Sequence, residues 1–260
     1  MNRDLIARYG RELAYAAPIE YEHILFYPVK FKNLTLYQSL IPCLLFNPIY
    51  YPDMELSSLP RLYFLTECLR HSNNEAFAAQ HPEFHALLFK TIGLLSLVLG
   101  DQQFDFVETA SGRYVIQVQD RNDPNIIYTI NSKQFDTIRE IILIQNDTFY
   151  DDEYVHPDIQ KWIDEQKAAE IKRSKATPET IEDKIEALML EFHQIDEHFL
   201  DEMTIRHVNR LFEKMTRRES YNAQITGMMS GMVKFKDDPI SWVATQPRRT
   251  DLEQYLKELK

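Results

Sequence analysis

Glycine is scarce in this chain, with six residues in 260, and there are twelve prolines. So little of either argues against low-complexity or linker-dominated architecture. No glycine-rich phosphate loop and no GxSxG nucleophile elbow is present, which removes the commonest short signatures of nucleotide and acyl chemistry. Cysteine is scarcer still: Cys43 and Cys68 lie far apart in apolar surroundings, and there is no CxxC. Neither a zinc ribbon nor a thioredoxin-type motif is available, and two buried free thiols in a reducing compartment are expected.

Long apolar runs are also missing. The most hydrophobic stretch, 86–99, is too short to span a bilayer and contains Lys90. The first seventeen residues mix Arg3, Asp4, Arg8, Arg11 and Glu12 with apolar side chains, unlike a signal peptide. A cytosolic protein with no membrane partner is predicted. Positive charge is in deficit: the formal net charge is −11, and residues 151–202 hold 16 acids against 6 bases. Such a surface repels phosphate backbones, so nucleic acid is not an expected partner. It attracts basic proteins, although a solvated helical face produces the same pattern.

What is present is globular: 44% hydrophobic and 27% charged residues, enough apolar content for one large core or two small ones. Residues 1–16 show helical spacing through Leu5, Ile6, Tyr9 and Leu13, and Pro18 breaks the run. The segment 23–31 reads as extended, with Pro28 favouring an edge or irregular strand. From Leu34 the chain is apolar and helical, interrupted at Pro42, Pro48 and Pro52. Ser57-Ser58-Leu59-Pro60 predicts a serine-capped helix running to about His71. A second apolar helix runs from about Pro82 to Leu99, with Gly100 at its C-cap.

Residues 103–130 change period. Phe104–Val107 and Tyr114–Val118 flank Ser111-Gly112, and Asn122-Asp123-Pro124-Asn125 precedes Ile126–Ile130, which predicts a three-stranded meander. A helix capped by Asn131 or Ser132 follows, with Phe135, Ile138, Ile141 and Ile142 on one face. A charged helix starting at Pro157 runs to about Ser174, and the remainder is helical: one helix from Thr177–Glu179 through Phe192, one carrying Ile205, Val208, Phe212 and Met215 and continuing past Tyr221 to Gly231, and a tail helix at 252–260. The fold class is therefore α+β, predominantly α-helical. It divides into an α+β region at 1–150 holding the meander, an acidic helical arm at 151–177 and a helical region at 178–260.

Three constellations resemble active sites without meeting their geometry. His193, Glu197 and His198 read H-Q-I-D-E-H, one residue too long for an inverted zincin motif. His81 and His85 are four apart, but Pro82 places His81 at a helix start. Pro157-Asp158 with Glu170-Ile171-Lys172 resembles a nuclease pattern, yet lies on one charged helix rather than on neighbouring strands. No catalytic, cofactor-binding or metal-ligating residue is assigned, and an enzyme would need a site built from distant residues. Gly227 and Gly231 suit close helix packing. Met215, Met228, Met229 and Met232 form a deformable apolar cluster, suited to adaptable binding or to a core.

The segments IEDKIEALMLEF, MTIRHVNRLFEKM and YNAQITGMMSG, with a tryptophan shortly after, resemble the helical domain of long-tailed phage tail assembly chaperones. FDTIREIILIQN (135–146) and MSGMVKFKDD…W (229–242) are similar to stretches in tail-module proteins of phages infecting Gram-positive bacteria. The resemblance implies a non-catalytic morphogenesis factor in the bacterial host cytoplasm, without cofactor. Its expected partner is a helical tape-measure or tail-tube protein, with a homo-oligomer as an option. Trp162, Tyr221, Met228, Met229, Met232, Phe235 and Trp242 are the candidate contacts. The meander is an addition to the family pattern and leaves room for a minor structural tail protein or a factor that binds a host protein.

Overall fold

In the computed structural model, residues 3–71, 74–150, 159, 161–163, 165–166, 168–169, 180–193, 196–230 and 239–243 are described. The chain divides into two compact units: Met1–Tyr150 with Asp201–Arg206, and Asp151–Leu200 with His207–Lys260.

The first unit opens with two short helices, α1 (Arg3–Arg8) and α2 (Gly10–Tyr15), where the sequence predicted one. Tyr9 leaves the helical region at φ −105° and ψ 23°, although the Tyr9 N–H to Leu5 and Leu13 N–H to Tyr9 bonds, 2.9 Å each, carry the chain across the break. Strands β1 (Ile19–Tyr21) and β2 (Ile24–Phe26) pair as an antiparallel hairpin. The sequence predicted neither β1 nor the turn. Glu22 and His23 form that turn at φ 51° and 66°, the backbone of a type I′ turn, without the Asn or Gly that usually announces one.

Helices α3 (Leu34–Leu40) and α4 (Pro42–Leu45) follow, divided at the predicted proline. The expected serine-capped helix is different in detail. Ser57 and Ser58 donate back to the carbonyls of Met54 and Glu55, finishing α5 (Met54–Ser57). Pro60 itself is the N-cap of α6 (Arg61–Leu65). Thr66 then bends the chain, its hydroxyl bonded to Leu62 O at 2.9 Å, before α7 (Glu67–Arg70) and an Asn74-capped α8 (Glu75–Gln80) that the sequence did not announce. Helix α9 (Glu83–Leu99) ends as predicted at Gly100, φ 62°.

The meander is present in the expected order: β3 (Phe104–Glu108), β4 (Tyr114–Gln119) and β5 (Ile127–Ile130), all antiparallel. Helix α10 (Ser132–Gln145) is fixed by a full capping box between Asn131 and Gln134. It buries more than the predicted single face, since every residue from Ile141 to Gln145 is buried. Gln145 donates to Phe26 O at 2.9 Å, and Asn146 accepts from Val29 N–H at 2.8 Å, so its polar end serves the backbone beside β2. The main core joins α9, α10, the meander and the first hairpin. A smaller core of Leu56, Phe64, Cys68, Phe84 and Leu88 is lined by further aromatic rings.

The segment Asp201–Arg206 belongs to this first unit. Phe31 N–H donates to Met203 O at 2.7 Å, Ile205 N–H donates to Val29 O at 3.0 Å, and Lys30 and Thr204 form an antiparallel bridge. Ile205 enters the main core. Glu202 is held between Lys30 and Lys32, the latter at 2.6 Å. Arg206 donates to Ile144 O at 2.8 Å and lies 3.5 Å from Asp147.

In the second unit, α11 (Ile181–Glu191) starts at Thr180 through a capping box with Asp183, later than the Thr177 predicted; residues 177–179 lie outside those described. Helix α12 (Glu197–Glu202) precedes α13 (Ile205–Met229), a helix of 25 residues. Of the predicted acidic arm, the described positions between Ile159 and Ala169 are helical. The rest of that arm and the predicted tail helix fall outside the described residues. Among the described residues, no helix is long and apolar enough to cross a membrane.

Candidate protein-interaction surface

Helix α13 organises the second unit. Val208, Phe212 and Met215 form its apolar stripe, whereas Tyr221, Ile225 and Met228 form a second apolar group that lies about 140° round the helix from the first. Val208 and Met215 are buried, at 3% and 7% exposed, while Met228 and Met229 stand 38% and 85% exposed. The first half of the helix is tied to α11: Lys184 Nζ sits 5.3 Å from the Phe212 ring centroid, and Arg218 pairs with Glu191. Glu213 is shared by Arg210 at 3.1 Å and Arg217 at 2.6 Å, so one carboxylate answers two arginines of this basic helix. Lys214 donates to the carbonyls of Trp242 (3.4 Å) and Val243 (2.8 Å), which brings 239–243 against the helix.

Of the predicted contact residues, Tyr221, Met228 and Met229 lie on α13, and Trp242 is joined to it through Lys214. Tyr221 and Trp242 are half-buried, while Trp162 is a partly exposed residue of the acidic arm. Met232 and Phe235 lie outside the described residues. The sequence reading missed Leu190 (76% exposed), Phe199 (54%), Ile240 and Val243. Leu190 lies off the Ile181–Ile185–Leu188–Phe192 stripe, and that misfit was the available signal.

Apolar side chains in this unit are divided unusually. Among the described residues the buried ones are Ile163, Leu188, Leu200, Val208 and Met215, while eight large ones are exposed, from Trp162 to Val243. A unit with so few anchors and so much displayed apolar surface has the composition of an interaction surface.

The histidines considered for metal binding lie elsewhere in character. His193 and His198 are exposed. His81 Nδ1 is hydrogen-bonded to Tyr51 Oη at 2.5 Å, between the rings of Phe77 and Phe84. Tyr51 also donates to Glu83, and desolvation together with that carboxylate raises the phenol above its ordinary range. A phenol so held is a structural tie, poorly suited to giving up its proton. Among the described residues no group of three His, Cys, Asp or Glu is placed to hold a metal ion. Cys43 and Cys68 are free and buried, with burial pushing the Cys43 thiol up to about 11, which leaves it unreactive.

The fold and this surface define an α+β protein whose helical second unit presents apolar side chains to its surroundings. A family model described as the YomV second domain matches residues 172–245. That family is phage-derived, which supports a phage origin for this chain. No curated protein and no solved structure matches it.

Proposed function

We propose that this chain is a non-catalytic phage morphogenesis factor of the tail-assembly-chaperone kind, holding a long helical protein through its second unit. The observation that carries the reading is the apolar surface displayed by the second unit, with Met228 and Met229 exposed at the end of α13. A holding factor needs apolar contacts that adapt to many positions along a repetitive helical partner, and methionine supplies them. The acidic surface keeps the loaded complex soluble. The match of residues 172–245 to a phage-derived domain family is in keeping with this role. Tape-measure-type proteins are long, helical and rich in apolar stripes, so helix-in-groove contact is the recognition mode this surface suits.

Co-expression with a tape-measure-type protein tests the proposal. The partner is expected in the soluble fraction, bound to this chain. The double substitution Met228→Asp and Met229→Asp leaves folding within about 0.5 kcal/mol, as exposed positions do, and abolishes co-purification. A partner that stays insoluble and unbound with the unaltered chain removes the basis of the reading.

A further inference from the structure

Among the described residues, no strand pairs with the outer edge of β5 in the meander. Three backbone bonds outside the paired strands fix the phase of its ladder: Gln119 N–H to Gln103 O (2.9 Å), Thr109 N–H to Arg113 O (2.8 Å) and Asp120 N–H to Ile126 O (2.9 Å). Antiparallel ladders alternate their bonding direction at successive residues. With the observed register, Tyr128 and Ile130 therefore turn their N–H and C=O groups toward β4, while Ile127 and Thr129 turn theirs outward. Among the described residues the sheet ends at β5, and both outward residues are exposed, Ile127 at 51%.

Natural sheet edges are guarded by charge, proline or a bulge. The other edge, β3, follows that rule with Asp105 and Glu108, both exposed. The β5 edge does not: Ile126-Ile127-Tyr128-Thr129-Ile130-Asn131 has no charge and no proline. In a chain of net charge −11, self-pairing at β3 would set carboxylates against their own copies, whereas self-pairing at β5 opposes no like charges. An uncharged edge also gives no preference to a basic or acidic strand from elsewhere.

We propose that β5 pairs antiparallel with β5 of a second copy, making a continuous six-stranded sheet and a two-fold homodimer. With the axis at Tyr128, Ile127 faces Thr129 of the second copy and Thr129 faces its Ile127. Each such pair exchanges two N–H···O bonds, and exposed Ile126 and Ile127 become covered. This dimer is independent of the α13 surface and of the function proposed for it.

Sedimentation equilibrium of the full chain across a concentration series tests it. A dimer is expected, tightening as salt rises because salt screens the repulsion between two acidic copies. Thr129→Pro removes only an outward N–H, and Thr129→Lys places charge on the edge while leaving the β4 ladder intact. Each is expected to raise the dissociation constant on the order of tenfold or more. Glu108→Pro, the matching change on the other edge, leaves it unchanged. Circular dichroism melts identify any variant that fails to fold, and Thr129→Lys then decides in place of the proline. A chain that stays monomeric throughout, or a dimer indifferent to both Thr129 substitutions, overturns the proposal.

Discussion

Single residues in this protein are placed under local constraints that their chemistry does not advertise. Glu22 occupies the left-handed region at φ 51°, where an L side chain with a β-carbon costs on the order of 1 kcal/mol and asparagine costs less. Glu22→Asn is expected to stabilise the first unit by about 0.5–1 kcal/mol, read as a higher urea midpoint with unchanged slope. Glu67 is a different case. It is a buried carboxylate paired with Arg70 (3.2 Å), His71 (3.2 Å) and Arg113 (3.1 Å), the last reaching across from the meander. Glu67→Gln keeps the shape and removes the charge from three donors, so a loss of about 2 kcal/mol is expected in the same denaturation experiment. Because Arg113 also lies over the Tyr63 ring at 5.5 Å, part of its anchoring survives. Gly93 lies close under Leu40: a β-carbon there would stand 3.0 Å from a Leu40 methyl, which would have to give by a few tenths of an ångström.

Among the elements, the segment 201–206 behaves as a latch on the first unit. Its backbone bonds to Val29 and Phe31 resemble an added strand, and Glu202 between two lysines supplies the charge complement. The lysines lower the Glu202 carboxyl from 4.5 to about 2. A carboxyl depressed by folding contributes its full stabilisation above its unfolded value and loses it as pH falls through the folded one. The latch is thus expected to be indifferent to pH above about 4.5 and to weaken between 4.5 and 2. Hydrogen exchange at the Phe31 amide, which donates to Met203 O, would show protection falling through that window. Glu202→Gln would remove the pH dependence, and added salt would lower protection because the pair is half-exposed. A Phe31 amide protected equally at both ends of that window would show that Glu202 does not hold the latch.

On the scale of the whole molecule, the first unit, which otherwise ends at Tyr150, is completed by Asp201–Arg206, beyond the intervening residues 151–200. A fragment ending at Tyr150 lacks Ile205 in the core and leaves the backbone of Val29 and Phe31 without their partners. It is expected to unfold at a lower temperature than a fragment ending at Arg206, by several degrees if the lost burial of Ile205 is worth about 2 kcal/mol. Equal melting temperatures for the two fragments would show that the segment adds nothing to the fold. The second unit has few buried apolar anchors among its described residues, so burial of its own apolar side chains holds it together less than it does the first.

Periodicity carried much of the architecture. The alternation of 104–108, 114–119 and 127–130, the glycine at 112 and the Asn131 cap are local signals, and local signals were sufficient for the meander and α10. So was the α13 stripe, since a 3.6-residue period is written in one stretch of chain. The Glu22-His23 turn and the use of Ser57 and Ser58 to end a helix are local choices that carry no usual sequence signal, and the docking of 201–206 was decided by tertiary structure. For that segment the stabilising partners lie far away in the chain, Val29 and Lys30 against Thr204 and Ile205. Which apolar residues stayed exposed was likewise outside the reach of composition. A leucine at 190 and a leucine at 188 have the same transfer free energy, and only the packing of α11 buries one and leaves the other in water.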